Sequence, residues 1–248
     1  MTTDEFAALH TSAEPLVLFN IWDAGSALAV ARAGAKAIAT GSLSLAGAQG
    51  FEDGEQLPFE ALLDTARQIA AATDLPLTVD FEAGFAEDIA ALAANAKALF
   101  ATGALGCNFE DQLIGSGGLR QTSEQAERIA TVADAGLFVN ARTDTFLNVL
   151  MEGGNPNQPA LVDMAIERGE AYKNAGAQCF FIPGLSDRDM IAQICAAITI
   201  PVNVMRLPDM VSNTELASCG VSRISYGPGP WHEAMDQVET AAKNAFAS

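Results

Sequence analysis

Eight short apolar runs of strand length alternate along the chain with alanine-rich stretches of helical periodicity. We predict strands at residues 16–21, 35–39, 75–81, 105–109, 137–141, 178–182, 200–205 and 221–226. Most of these runs are almost continuously apolar, as in Leu137-Phe138-Val139, which is typical of parallel strands covered on both faces. Eight strands that alternate with about eight helices in 248 residues match a (β/α)8 (TIM) barrel in count and in length.

Glycine marks the predicted ends of three helices. The pairs Gly34-Ala35, Gly103-Ala104 and Gly176-Ala177 each stand just before a predicted strand, as expected for a left-handed C-cap followed at once by a buried strand. The competing fold is a doubly wound open sheet, but a single glycine, in Ala24-Gly25-Ser26, follows the first strand where that fold would place a G-x-G-x-x-G pattern. No linker or charge block divides the sequence. We therefore predict one α/β domain over residues 1–248, with a short N-terminal helix in residues 1–12.

The charge balance excludes some partners. The chain has 13 Lys and Arg against 31 Asp and Glu, a net charge of −18, and this field repels nucleic acid and anionic membranes. No apolar run approaches the roughly 18 residues of a membrane span, and Asp4 and Glu5 stand where a signal peptide would be basic, so we expect a cytoplasmic protein. The four cysteines form no C-x-x-C pair and only two histidines are present, which argues against a zinc site.

Acidic side chains follow the third and fourth predicted strands. The carboxyl ends of the strands form the functional face of such a barrel. Asp80 and Glu82 are two residues apart on one face of an extended segment, and Glu110 directly follows the next predicted strand. Three converging carboxylates need a counter-charge, and Mg²⁺ or Mn²⁺ accepts such oxygen ligands. Chance is the alternative, since 31 of the 248 residues are acidic. We predict a metal site at these three residues.

Two further strand ends carry groups that suit an anionic substrate. Arg142 ends the fifth strand, where its guanidinium can bind a substrate carboxylate; the alternative is an ion pair with Asp144 or Glu110. Thr40-Gly41-Ser42 offers hydroxyl and amide groups for a carboxylate or enolate oxygen, although Ser42 or Ser44 can equally cap a helix.

The exit of the eighth strand does not indicate a phosphate site. Its sequence, Tyr226-Gly227-Pro228-Gly229-Pro230, loses two amide donors to proline. His10 and His232 lie at positions predicted to be away from the barrel mouth, so neither is assigned a role.

Several segments together resemble the isocitrate lyase and phosphoenolpyruvate mutase superfamily. They are Ala39-Thr40-Gly41-Ser42, Gly50-Phe51-Glu52-Asp53-Gly54, Val79-Asp80-Phe81-Glu82-Ala83-Gly84-Phe85, Asn108-Phe109-Glu110-Asp111-Gln112 and Asn140-Ala141-Arg142-Thr143-Asp144. The resemblance implies a barrel that binds Mg²⁺ and a small α-oxo or 2-hydroxy acid and stabilises a pyruvate enolate. It also implies a homo-oligomer, a dimer or a tetramer.

The resemblance also implies residue roles. Asp80, Glu82 and Glu110 correspond to the metal set, partly through water. Arg142 and the Thr40-Gly41-Ser42 loop correspond to the groups that bind the substrate, with Ser42 and Arg142 catalytic. Asp53 resembles a catalytic residue on a mobile gating loop, and Asn203 resembles a substrate-facing residue of the lyases.

The chain departs from the family after Gln112. Lyases that act on isocitrate or methylisocitrate carry a loop there with a catalytic cysteine, and the phosphonopyruvate enzymes carry Lys and Asn, whereas this chain reads Leu113-Ile114-Gly115-Ser116-Gly117-Gly118-Leu119-Arg120. A lyase glutamate near the sixth strand is replaced by Ile182-Pro183-Gly184. Water, Ser116 or Tyr226 remains as a proton source, and the run from Gly115 to Gly118 is either a mobile lid or a short connection.

Three functions remain open from the sequence. We favour a Mg²⁺-dependent carbon–carbon lyase or decarboxylase that acts through a pyruvate enolate. The first alternative is P–C bond chemistry, either phosphonopyruvate hydrolysis or the mutase rearrangement. The second is a barrel that binds an oxo acid without turnover.

Overall fold

The computed structural model describes residues 1–247, in which eight parallel strands are surrounded by eleven helices. The strands are β1 (Leu16–Leu18), β2 (Ile38–Ala39), β3 (Leu77–Asp80), β4 (Gly106–Glu110), β5 (Phe138–Arg142), β6 (Cys179–Phe181), β7 (Val202–Met205) and β8 (Val221–Ser225). The helices are α1 (Thr3–Ala7), α2 (Ala24–Arg32), α3 (Ser42–Ala48), α4 (Phe59–Ala72), α5 (Ile89–Phe100), α6 (Thr122–Ala133), α7 (Thr145–Met151), α8 (Pro159–Asn174), α9 (Arg188–Ala197), α10 (Asn213–Ser218) and α11 (Gly229–Phe246). The predicted (β/α)8 barrel is confirmed; Ser248, at the end of the predicted domain, lies outside the described residues.

The barrel closes between its first two strands. The hydrogen-bonded order is β1-β8-β7-β6-β5-β4-β3-β2, and a parallel bridge between Ile21 and Thr40 joins the two ends just beyond β1. The Asn20 side chain fastens this seam: its Nδ2 donates to the Thr40 carbonyl at 2.8 Å, and its Oδ1 accepts the Tyr226 and Gly227 amides at 2.9 Å each. One side chain thus holds together the segments that follow β1, β2 and β8.

Each predicted strand overlaps an observed one. Strands β4 and β5 run one residue further than predicted, so Glu110 and Arg142 belong to the strands themselves and lie directly opposite each other in register. The three predicted glycine helix ends are confirmed, since Gly34, Gly103 and Gly176 have φ values of 94°, 97° and 102°.

The core has two parts. A large apolar cluster fills the space between the strands and the surrounding helices. A smaller cluster closes the amino-terminal end of the barrel, where Phe6 of α1 packs against Leu16, Leu18 and Phe138. His10 stacks on the Phe138 ring at 4.5 Å there, which agrees with its predicted position away from the mouth. None of the helices in the described chain has the length and apolar character needed to cross a bilayer.

Candidate active site

A cavity of about 630 Å³ lies at the carboxyl ends of the strands. Its polar lining residues are Asn20, Ser42, Ser44, Asp53, Asp80, Asn108, Gln112, Arg142, Asn148, Glu152, Ser225 and His232. Its apolar lining residues are Leu43, Leu147, Met151, Phe181, Met205 and Pro228. The last residues of five strands are among them, so the barrel itself forms the wall of the cavity.

The residues predicted for the site fall into two groups. Gly41, Ser42, Asp53, Asp80 and Arg142 line the cavity. Thr40, Glu82, Glu110 and Asn203 are buried and are not part of its lining.

Asp80 is the central carboxylate of the cavity. Its Oδ2 accepts the Ser42 amide at 3.1 Å, whereas its Oδ1 is buried without a hydrogen-bond partner. Burial raises the pKa of Asp80, and the charge of Asp53 adds to this, although Arg142 opposes it. A buried carboxylate oxygen without a donor is a site that needs a cation or a proton.

The neighbouring glutamates carry the same excess of negative charge. Burial, then the charges of Asp80 and Asp53, raises the pKa of Glu82 to about 8. Burial also raises the pKa of Glu110 well above its usual value. The charge of Arg142 lowers this pKa, whereas the charges of Asp144, Asp80 and Glu82 raise it further. The predicted metal set is therefore a mutually repelling group of hard oxygen donors, which suits a divalent cation.

The three carboxylates are nevertheless not drawn together. Within residues 1–247, no group of three His, Cys, Asp or Glu side chains lies close enough to hold a metal ion. One reason is that Glu82 Oε2 accepts the Glu55 amide at 2.7 Å; another is that Glu110 Oε2 pairs with Arg142 Nη1 at 2.9 Å. Asp80 Oδ1 is the fully buried oxygen of the set that lacks a hydrogen-bond partner, so the donors fit a cation held directly by Asp80 and through water by the two glutamates.

Arg142 forms both ion pairs that the sequence left open. Its Nε and Nη2 donate to the two oxygens of Asp144 at 2.5 and 2.8 Å, and its Nη1 contacts Glu110. Burial alone would lower the pKa of Arg142, but the charges of Asp144 and Glu110 raise it well above its usual value. The side chain lines the cavity as a fixed cation and keeps only part of its hydrogen-bonding capacity for a ligand.

Asp111 anchors this ion pair from behind. Its Oδ1 accepts the Asp144 amide at 3.0 Å, and its Oδ2 accepts Tyr172 Oη at 2.7 Å and Arg168 Nη1 at 3.0 Å. Arg168 and Tyr172 lie on α8, so this helix, which packs outside the strands, fixes through Asp111 the loop that follows β5.

Thr40 and Asn203, both predicted to bind the substrate, make hydrogen bonds inside the barrel wall. Thr40 Oγ1 accepts the Asp80 amide at 2.8 Å and thereby sets the end of β3. Asn203 Nδ2 donates to Ser225 Oγ at 3.1 Å, so Ser225 stands between Asn203 and the cavity. Both side chains are used inside the barrel wall.

The loop after β2 is also engaged internally. The Gly41 amide donates to the Ile21 carbonyl at 3.3 Å and the Ser42 amide donates to Asp80, so neither is a free donor for an enolate oxygen. The alternative of a serine helix cap is not observed: Gly41 is the N-cap residue of α3, which has no side-chain cap, and Ser44 Oγ donates to the Gly41 carbonyl.

Asn108 and His232 are among the cavity residues to which the sequence assigned no role. Asn108 Oδ1 accepts Asn140 Nδ2 and Arg223 Nη2, each at 2.8 Å, so its own Nδ2 is the amide atom left to face the cavity. Its position two residues before Glu110 on the same strand is the signal that was available.

His232 was placed away from the mouth, and this was wrong. Three residues separate β8 from α11, and the first turn of α11 brings His232 into the cavity wall. The two proton sources weighed from the sequence, Ser116 and Tyr226, are not among the lining residues. Gly117 and Gly118 do line the cavity.

Comparison with known proteins identifies relatives across the whole barrel. The sequence pattern of the phosphoenolpyruvate phosphomutase family matches residues 6–246. A candidate phosphonomutase from Burkholderia cenocepacia J2315 is 42% identical, with a TM-score of 0.93 over 98% of each chain. The 2-methylisocitrate lyase of Escherichia coli (strain K12) is 30% identical over 209 residues, which is 79% of this chain and 67% of the lyase.

A phosphonopyruvate hydrolase solved with oxalate and Mg²⁺ is 21% identical, with a TM-score of 0.85 over 98% of this chain and 87% of that one, and it shares the fold. The family match extends over all eight strands and over the residues that line the cavity. The chain belongs to the phosphoenolpyruvate phosphomutase family, in a superfamily of enzymes with both lyase and mutase members.

Proposed function

We propose that this protein is a divalent-cation-dependent lyase or decarboxylase that breaks a carbon–carbon bond in a small α-oxo or 2-hydroxy acid through a pyruvate enolate. The observation that carries this proposal is the unpartnered, buried Oδ1 of Asp80 among acidic neighbours. The relatedness to 2-methylisocitrate lyase supports the kind of reaction.

The metal would be Mg²⁺ or Mn²⁺, held by Asp80 and, through water, by Glu82 and Glu110. When bound, such an ion supplies Lewis-acid stabilisation of negative charge on an oxo group. The carboxylates hold it in place because their repulsion is relieved by its charge. Asp53, on the segment between α3 and α4, would complete the acidic edge of the cavity.

The remaining polar side chains orient the substrate. Arg142, fixed by Asp144 and Glu110, presents a positive charge to the substrate carboxylate. The Asn108 amide donates from the adjacent strand to a substrate oxygen, and its direction is set by Arg223 and Asn140. Ser42 follows β2, whereas Asn108 and Arg142 lie on β4 and β5. The cavity therefore has polar groups on both sides of Asp80, which ends β3.

We assign the proton transfer to His232. The chain has two histidines, and the other, His10, is buried at the opposite end of the barrel. An imidazole on the cavity wall can deliver a proton to the enolate carbon and recover it from water. In this assignment, His232 takes the role of the catalytic cysteine that the family lyases carry in the loop after the fourth strand.

P–C bond cleavage is the second candidate, because the candidate phosphonomutase is 42% identical to this chain. Phosphonopyruvate would bring a carboxylate and a multiply charged phosphonate into a cavity where, among residues 1–247, Arg142 is the one lining Lys or Arg. This charge balance favours carbon–carbon chemistry.

The test is an assay for released pyruvate and phosphate with purified protein and Mg²⁺ on oxaloacetate, methylisocitrate, substituted malates, 4-hydroxy-2-oxo acids and phosphonopyruvate. Pyruvate without phosphate is expected. Asp80→Asn should abolish release, and Asp163→Asn, which removes the same charge from the exposed face of α8, should not. Phosphate release would favour P–C cleavage. Lack of turnover, with oxalate still bound in the presence of Mg²⁺, would favour the binding barrel.

We also propose a homo-oligomer, on the basis of α11. This helix spans 18 residues, yet Pro230 is its one buried residue among those described, and Val238 is 62% exposed. Val17 and Phe19, on and beside β1, are also exposed apolar residues. A second copy would cover such surfaces. Light scattering should give the mass of two or four chains, and Val238→Asp should lower it; a monomeric wild type would contradict this.

A further inference from the structure

We propose that the substrate is a monocarboxylic acid with an apolar substituent, which occupies the half of the cavity opposite the carboxylates. This inference rests on the proposed function and names its substrate class. It follows from how the polar and apolar lining residues are divided around the barrel.

The polar half of the cavity is built on neighbouring strands. Ser42 follows β2, Asp80 ends β3, Asn108 lies on β4 and Arg142 ends β5. Because these strands are consecutive in the sheet, the groups that bind a carboxylate and an oxo oxygen share one side of the mouth.

The other half carries an apolar wall made of Leu147, Met151, Phe181, Met205 and Pro228. Leu147 and Met151 are four residues apart on α7 and therefore share a face of that helix. Phe181 ends β6, Met205 ends β7, and Pro228 follows β8. The apolar residues follow one another in strand order from the helix after β5 to the exit of β8, with Asn148, Glu152, Ser225 and His232 as the polar lining residues on the same side.

Two glycines allow the chain to approach this wall closely. A Cβ at Gly184, whose φ is 93°, would come within 2.7 Å of the Leu147 nitrogen. A Cβ at Gly227, whose φ is 56°, would come within 2.7 Å of Met205 Sδ. The segment after β6, where family lyases have a glutamate, therefore packs against the α7 backbone and supports an apolar side chain.

The charges on the cavity wall disfavour a second carboxylate. Among residues 1–247, Arg142 is the one Lys or Arg that lines the cavity, and two carboxylates already neutralise it. Asp53, Asp80 and Glu152 line the same cavity. Among residues 1–247, no Lys or Arg lines the apolar wall, so another carboxylate placed against it would be desolvated without a Lys or Arg partner.

The size of the cavity agrees with a substituted substrate. At about 630 Å³, it lies in the range of roughly 300–1,000 Å³ that accommodates drug-sized ligands. An acid of three or four carbons would leave the apolar wall exposed to water. An alkyl or aryl group of several carbons would cover it.

A single carboxylate also determines the form of the reaction. Breaking a bond next to an enolate carbon leaves the electron pair on that carbon, so the other fragment must depart as CO₂ or as a carbonyl compound. With no second carboxylate, the fragment is an aldehyde or ketone. The substrate is then a 4-hydroxy-2-oxo acid: the C3–C4 bond breaks, the hydroxyl loses its proton to His232 and becomes the carbonyl, and carbon 3 takes that proton to give pyruvate.

The experiment is calorimetric titration of the full chain with Mg²⁺ and a series of 2-oxo acids that lack the 4-hydroxyl group. The Kd should fall about three- to fourfold for each methylene from pyruvate to 2-oxohexanoate. The shape-matched pair 2-oxoglutarate and 5-methyl-2-oxohexanoate isolates charge, and the apolar acid should bind at least about tenfold more tightly.

A pair of variants tests the location of the wall. Met151→Lys adds a cation to the rim of the apolar wall, where the side chain is 78% exposed, so folding is preserved. It should lower the ratio of the Kd of 2-oxoglutarate to the Kd of 5-methyl-2-oxohexanoate by about three- to fivefold, which is the effect of an exposed ion pair. Met164→Lys makes the same change on α8, outside the cavity lining, and should leave the preference unchanged.

The possible failures are distinguishable. If oxalate with Mg²⁺ does not bind, the proposed function fails. If oxalate binds but 2-oxoglutarate binds as tightly as 5-methyl-2-oxohexanoate, the function stands and the substrate class is overturned. Equal effects of the two lysine variants would place the apolar group elsewhere.

Discussion

His10 should make the barrel lose stability in mild acid. The imidazole is buried at the amino-terminal end of the barrel; its Nδ1 is 3.1 Å from the Phe6 carbonyl and its Nε2 has no partner. Burial, together with the charge of Arg223, lowers the His10 pKa to about 3. A proton on Nε2 would be a buried charge without an acceptor.

The expected loss follows from the difference in pKa between the folded and unfolded chain. The unfolded histidine, with a pKa near 6.5, takes up a proton below that pH while the folded one does not, so the free energy of unfolding falls as pH falls. Each pH unit in this window is about 1.4 kcal/mol, so lowering the pH from 7 to 4 removes about 3 kcal/mol.

The assay is urea unfolding of the wild type and His10→Asn at pH 7, 6, 5 and 4. Asparagine can still donate to the Phe6 carbonyl but cannot titrate, and the acid titration of the many carboxylates is common to both proteins. The variant should therefore gain about 3 kcal/mol relative to the wild type across this range. If the two stability curves stay parallel from pH 7 to 4, the assignment of a neutral buried imidazole is refuted.

Three further predictions concern the cavity. Asn108→Asp keeps the oxygen that accepts from Arg223 but replaces the donor on the cavity side, so oxalate binding with Mg²⁺, measured by calorimetry, should weaken by about tenfold or more with little loss of folding; unchanged affinity would contradict the assigned amide orientation. Gly184→Ala places a Cβ against the Leu147 backbone at a positive φ and should cost about 3 kcal/mol in urea unfolding; a cost near zero would mean that α7 is free to shift. His232→Gln should suppress deuterium exchange at carbon 3 of a bound 2-oxo acid, followed by NMR, while leaving oxalate affinity unchanged; persistent exchange would exclude His232 as the proton carrier.

The location of the site could be read from the chain because a barrel gathers the ends of its strands at one face. Asp80 is the next-to-last residue of one predicted strand and Arg142 directly follows another, and both line the cavity. Asn108 could have been added by the same reasoning, since alternate residues of a strand face the same side. His232 could not, because its place depends on where α11 begins.

The sequence by itself determined the barrel, the helix ends at glycine and the acidic character of the mouth, because hydrophobic periodicity and glycine conformation are local properties of the chain. Only the tertiary structure decided how the polar groups are shared. Arg142 is committed to Asp144 and Glu110, Thr40 to the Asp80 backbone and Asn203 to Ser225, while Asp80 Oδ1 is left without a partner. Such pairings join residues distant in sequence and depend on side-chain directions that no local pattern encodes, and they separate the groups that hold the barrel from those that can hold a ligand.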